Sequence, residues 1–290
     1  MLSHTCRPIA IAILSLLLVS QAQAVEPAPD GVLVYKQVGE RGLKLYVDKP
    51  AGWKEGADLP AVVYFFGGGW VAGSPAQFKP QSEYLATRGM VGVRVEYRVI
   101  PKSERGTPPT VCVQDAKSAM RYVRSHAKEL GIDPKRIAAA GGSAGGHLAA
   151  ATALLDGLDD PKDDLKVSAR PDALVLFNPV FNNGPGEWGY GRVGARYKEF
   201  SPAHNVKAGA PPTVVFLGDQ DKLIPVKVVR DFEDEMKKVG ARCDVHIYEG
   251  AGHGFFNKRK NQEKWFDQTL VEMDKFLISL GWLKGEPTRG

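Results

Sequence analysis

The chain has 290 residues, 43% of them apolar, and a formal net charge of +5. That length and apolar content suit one large or two small globular domains with a sizeable core. The positive charge is mild and scattered; its one triplet, Lys258-Arg259-Lys260, reads as a solvated turn and gives no reason to expect a nucleic-acid partner.

Residues 1–24 read as a cleavable export signal. Arg7 supplies the positive start, Ile9 to Val19 is an unbroken small-to-apolar run, and Ala22-Gln23-Ala24 is a small-x-small cleavage site. The run is shorter than the roughly 20 residues a bilayer-spanning helix needs. A retained anchor is the alternative reading; the expected location is periplasmic or extracellular. No later stretch predicts stable membrane insertion. The expected mature chain, residues 25–290, reads as one catalytic domain. It keeps Cys112 and Cys243, which fit two reduced, packed thiols better than a disulfide scaffold.

Short β-branched runs then alternate with longer helical patterns, the signature of a mostly parallel sheet covered by helices. Strands are expected over 32–38, 43–47, 61–66, 91–97, 137–140, 173–177, 213–217 and 244–248, about eight in all. The run Ala61-Val62-Val63-Tyr64-Phe65-Phe66 is continuously apolar, as in a strand buried on both faces. Helices are expected over 113–130, 144–155, 226–239 and 262–280. The stretch 179–212, rich in Gly, Asn and aromatics, is the longest irregular segment. It reads equally as a lid or as an ordered surface connection.

The chemistry-bearing motif is Gly141-Gly142-Ser143-Ala144-Gly145-Gly146, between a strand and a helix. That is G-x-S-x-G in the strand–turn–helix context that gives it meaning, and Ser143 is the expected nucleophile. The turn is sharp, so small residues must flank its apex. The apex also lies at a helix N-terminus, where free N–H groups favour developing negative charge. His147, one helical turn on, reads as a structural histidine because its side chain points away from the apex.

The base is expected at His253, in Gly252-His253-Gly254-Phe255 after the last strand; flanking glycines let that loop carry an imidazole over the sheet end. Chain order Ser, acid, His then places the acid after the preceding strand, in Gly218-Asp219-Gln220-Asp221. Asp221 is preferred, with Pro225 opening the next helix. Asp219 reads as a turn residue bonding its own backbone. Gly67-Gly68-Gly69-Trp70 follows the most buried strand and leaves amides uncovered. Gly68, Gly69 and Ala144 are the expected oxyanion donors. The same glycines loosely match a dinucleotide fingerprint with Glu96, but Gly73-Ser74-Pro75 interposes a turn where that site needs a helix to start. No metal is expected, since no His/Cys cluster has ligand spacing, and no organic cofactor is implied.

In these pieces the chain resembles the bacterial acetyl-esterase branch of the α/β hydrolases, related to the hormone-sensitive-lipase group. The resemblance covers nearly all of residues 25–290. It rests on Gly67-Gly68-Gly69-Trp70, Glu96-Tyr97-Arg98, Asp133-Pro134-x-Arg136-Ile137, Gly142-Ser143-Ala144-Gly145-Gly146, Asp221 and His253-Gly254-Phe255. It implies the α/β-hydrolase fold, about eight mostly parallel strands with helices on both faces, and here a minimal cap. It implies a serine carboxylesterase acting on a small ester or an acetylated carbohydrate, of the acetylxylan type. Trp70, Trp188 and Tyr190 are then candidates to touch a sugar ring or acyl group, with packing as the equal alternative. One departure stands out: the family usually has His where this chain has Phe66, which puts the shape of that loop in question. The rivals are a lipase or peptidase on the same scaffold, and a binding module that has lost catalysis.

Overall fold

The computed structural model describes residues 31–288. The expected signal at 1–24 lies outside the described residues. Eight strands form one sheet: β1 Val32–Val38, β2 Arg41–Asp48, β3 Leu59–Phe65, β4 Val91–Val95, β5 Ile132–Gly142, β6 Ala173–Phe177, β7 Thr213–Gly218 and β8 Cys243–Tyr248. Their order is β1-β2-β4-β3-β5-β6-β7-β8. The first two pairings are antiparallel, β1 with β2 and β2 with β4, and the rest are parallel. The chain therefore starts with a hairpin at one edge, enters the centre at β3, and steps outward from β5 to β8.

The central strands are buried on both faces, which is why they read as unbroken apolar runs. In β3, Ala61, Val63 and Phe65 face one core and Val62 and Tyr64 the other. The long helices divide accordingly. Helices α2 Thr110–Ser125, α3 Ala144–Leu154 and α6 Val226–Lys238 cover the first face. Helices α1 Lys79–Thr87 and α7 Glu263–Ser279 cover the second, where Phe78, Phe177, Phe216 and Phe256 pack ring against ring at 4.9–5.6 Å. Helix α1 has no counterpart among the sequence expectations, because a first turn of Lys79-Pro80-Gln81-Ser82 gives little apolar periodicity. Helix α2 ends at Ser125, five residues short of the expected Leu130: His126 leaves helical geometry and 127–130 form turns before β5.

The stretch 178–212 carries two four-residue helices, α4 Tyr190–Val193 and α5 Tyr197–Phe200, and two short 3₁₀ turns. Its own side chains tie it down. Ser201 Oγ donates to the Phe181 carbonyl and accepts from the Asn183 amide, and the Ala203 amide donates to Phe181 as well. Of the two readings of this stretch, the ordered connection matches these bonds. Cys112 and Cys243 are free and buried, and burial pushes both thiols up to about 12. Among the described residues no helix is long and apolar enough to cross a membrane.

Candidate active site

All the chemistry-bearing loops leave the carboxyl ends of parallel strands, next to the point where the strand order reverses at β3. Strand β5 ends at Gly142, and Ser143 follows with φ 55° and ψ −120°, a conformation rare for a residue with a side chain. Such a conformation costs about 1–3 kcal/mol and persists only where neighbours impose it. Here the Ser143 amide donates to the Phe177 carbonyl at 2.9 Å, and its carbonyl accepts from His147 at 3.0 Å and Val180 at 3.2 Å. Gly145 makes the close approach possible: a Cβ there would lie 2.0 Å from the Phe65 carbonyl oxygen.

The structure brings the three expected side chains together. His253 Nε2 lies 2.9 Å from Ser143 Oγ, and His253 Nδ1 lies 2.7 Å from Asp221 Oδ2. Asp221 is buried, and its other oxygen accepts from the amides of Leu223 at 2.8 Å and Ile224 at 3.0 Å. The carboxylate is thus locked in rotation, with one oxygen held by its own turn and the other facing the imidazole. Asp219 departs from the expectation. Its carboxylate accepts from the Gly250 amide at 2.8 Å, so it ties the β7 loop to the β8 loop instead of bonding its own turn.

The amides of Gly68 and Gly69 donate to no protein acceptor among the described residues. Ala144 opens α3, so its N–H has no carbonyl four residues back inside the helix. The loop is set by Gly68 at φ 119°, where a Cβ would sit 2.1 Å from the Ala72 oxygen. It is pinned from outside by Gln77, whose Oε1 accepts from the Gly67 amide at 2.6 Å and whose Nε2 donates to Asn257. Phe66 answers the question raised by the missing His. Its ring stacks on Tyr97 at 4.0 Å, and the Tyr97 hydroxyl donates to the Phe66 carbonyl at 2.7 Å. An aromatic pair holds the loop.

Trp70 requires a correction. Its side chain is 1% exposed, edge-on to His147 at 5.0 Å and against Trp188 at 5.1 Å, so it supports the wall and does not meet a substrate. Trp188 is half-buried, with its ring edge 3.5 Å from where a Gly69 Cβ would be; Tyr190 is half-buried and 6.3 Å from Tyr197. Asn178 was not foreseen. Buried at the end of β6, it accepts from the Gly254 amide at 2.9 Å and places Nδ2 3.4 Å from His253 Nε2. Its position straight after a parallel strand was the available signal. His147 is buried and donates Nε2–H to the Phe200 carbonyl at 2.7 Å; burial pushes its pKa down to about 4. Among the described residues no three His, Cys, Asp or Glu side chains could hold a metal ion. A cleft of about 590 Å³ lies at β1 and α2, away from Ser143, and its Lys36, Arg98, Asp160 and Asp163 are all engaged in ion pairs.

The chain matches the BD-FAE family over residues 45–175 and the Dienelactone hydrolase family over residues 186–276. It is similar to esterase 2 of Thermogutta terrifontis: the propionate-bound structure is 45% identical, with a TM-score of 0.82, and the match covers 89% of this chain and 97% of that one. The chain belongs to the α/β-hydrolase esterases. It is also similar to Esterase LipC of Mycobacterium tuberculosis, at 32% identity over 80% of this chain and 66% of that protein. The Acetylxylan esterase of Xylanibacter ruminicola is 27% identical over 69% of this chain and 41% of its own length. The chain spans about half to two thirds of the curated relatives it matches first.

Two predictions follow from this geometry. Asp221→Asn keeps the shape but puts an amide against His253 Nδ1 and favours the wrong tautomer; kcat for p-nitrophenyl acetate should fall about 10³–10⁴-fold, with the melting temperature much less affected. His147 titrates near 6.5 when unfolded and near 4 in the fold. Its contribution to stability is therefore intact above pH 6.5 and is lost as pH falls from 6.5 to 4, by roughly 3 kcal/mol in total. His147→Gln, which retains a donor for Phe200, should flatten that loss in urea unfolding measured at pH 7, 5.5 and 4.5.

Proposed function

We propose that the protein is an exported serine carboxylesterase for short-acyl esters, with O-acetyl groups on carbohydrate as its substrate class. The observation that carries the reading is the row Asp221–His253–Ser143, at 2.7 and 2.9 Å, beside the open amides of Gly68, Gly69 and Ala144. In the proposed reaction Ser143 Oγ bonds to the ester carbonyl carbon while its proton passes to His253 Nε2. The carbonyl electron pair moves onto oxygen, where the three amides receive it; losing one such donor typically costs about 10²–10³ in rate. Collapse of that intermediate breaks the bond to the alcohol, which leaves with the His253 proton. Water, deprotonated by His253, then attacks the acyl-enzyme; the bond to Ser143 Oγ breaks, Oγ takes the proton back from His253, and the acid product leaves. Asp221 holds the imidazole in the tautomer this needs and stabilises the imidazolium.

Two features support the finer parts. The Thermogutta terrifontis esterase is known in propionate-bound and butyrate-bound forms. The similarity to an acetylxylan esterase favours carbohydrate over lipid. The lipase and peptidase alternatives gain no comparable support. The export part rests on the Arg7, Ile9–Val19 and Ala22-Gln23-Ala24 pattern.

p-Nitrophenyl esters from acetate to decanoate, alongside acetylated xylo-oligosaccharides, test the substrate reading. The expected result is highest kcat/KM at acetate to butyrate, release of acetate from the oligosaccharides, and a loss of about 10⁴-fold or more in Ser143→Ala. Turnover surviving that substitution, or a preference for decanoate, overturns it. For the export reading, N-terminal sequencing of protein recovered outside the cytoplasm should begin at Val25; an unprocessed Met1 terminus would sink it.

A further inference from the structure

Next to the oxyanion loop stands a cation that the proposed reaction does not use. Arg192, in α4, lies over Trp70 at 5.2 Å and over Trp188 at 5.9 Å. Trp188 in turn touches the position above Gly69, so the guanidinium is one aromatic layer from the amides assigned to the oxyanion. Three neighbouring arginines, on α2 and in the loop before it, have carboxylate partners: Arg98 with Asp115, Arg121 with Asp159 and Asp163, and Arg124 with Asp172. Arg192 has none among the described residues, and its Nη1 is buried without an acceptor. Two further unpartnered buried polar atoms border the same tryptophan pair: Trp70 Nε1 and Asn183 Oδ1, whose Nδ2 donates to the Trp188 carbonyl.

Arg105, exposed in the loop before α2, acts on Arg192 as a like charge, and among the described residues no carboxylate is paired with Arg192. The first turn of α2, whose Cys112 is within electrostatic range of Arg192, carries no acidic residue. A buried donor without an acceptor is costly. The guanidinium sits 5.2 and 5.9 Å from two indole rings, and a guanidinium edge matches a carboxylate in two parallel bonds.

We propose that Arg192, assisted by Arg105, is a specificity-determining residue that recognises a carboxylate on the substrate, so that the preferred esters are anionic. The inference rests on the esterase reading above and narrows its substrate class. The carboxylate has two possible sources: the alcohol side, as in an acetylated uronic acid, or the acyl side, as in a dicarboxylic half-ester.

Twin substrates separate these sources and test the idea. The first pair is acetylated methyl glucuronoside against acetylated methyl glucoside. The second is p-nitrophenyl hydrogen succinate against its methyl ester, followed by p-nitrophenol release. In the wild type, kcat/KM for the charged member should exceed that of its neutral twin by about tenfold or more in one of the two pairs, and the pair that shows it identifies the source. Arg192→Gln should reduce that ratio about 10- to 100-fold, chiefly through KM of the charged ester, and Arg192→Lys should retain part of it. Arg105→Gln should lower it less, and added salt should erode the Arg105 share first. A ratio at or below one in both pairs overturns the proposal. So does a ratio unchanged in Arg192→Gln, including the case where charged and neutral esters lose activity together. Failure of the esterase reading looks different: neither the neutral twins nor p-nitrophenyl acetate would be turned over by the wild type.

Discussion

Everything at this site depends on one backbone conformation, the positive φ of Ser143 between the last residue of β5 and the first of α3. Only that turn lifts a hydroxyl clear of both elements while leaving the next amide, Ala144, unclaimed by the helix it opens. The conformation is unfavourable in isolation. It is imposed by three backbone bonds from β6, the loop after β6 and α3, and by glycines that let β3 and α3 close on either side. The sheet therefore does more than carry the loops. Its parallel register stacks the ends of β3, β5, β6, β7 and β8 side by side, and each end delivers one part: open amides, hydroxyl, Asn178, carboxylate, imidazole.

The carboxylate and the imidazole illustrate how little of this is left to side-chain freedom. Asp221 spends one oxygen on Leu223 and Ile224 and so presents the other at a fixed angle. His253 rides on a glycine-flanked loop held from two directions, by Asp219 at Gly250 and by Asn178 at Gly254. An imidazole and a carboxylate held this way have their mutual orientation settled by the fold itself, the kind of preorganisation that lets proximity and electrostatics lower a barrier.

These contacts also explain what was legible in the sequence. The eight strands were readable because double-sided burial writes itself as apolar runs such as Ala61 to Phe66 and Ala173 to Phe177. The Ser143 turn was readable because its glycines are forced by close approach. Asp221 and His253 followed from chain order. Gln77 was not readable, because it acts through Asn257, far away in the sequence, which no local pattern announces; Asn178 offered only its place at a strand end, and its partner Gly254 is equally distant. Trp70 was left open between contact and packing for a related reason. An aromatic beside a glycine run looks the same on paper whether it faces solvent or is buried beneath a second tryptophan. Helix α1 escaped because Pro80 and the polar residues around it break the periodicity that α6 displays.

The stretch between β6 and β7 takes its meaning from the same bonds. Val180 binds the Ser143 carbonyl, and His147 on α3 binds the Phe200 carbonyl, so the segment is fastened at both ends to the helix that carries the nucleophile. Between those points Trp188 reaches over Gly69, with Trp70 and His147 layered beneath it. The wall beside the oxyanion loop is therefore a stack that starts on α3 and ends beside Gly69. Its deepest member is neutral near pH 7, because burial penalises a charged imidazole and pushes the His147 pKa down to about 4. With His147 neutral, the positive charge at this wall is that of Arg192, beside the tryptophan pair. The same packing that fixes the turn at Ser143 thus sets the polarity of the surface around it.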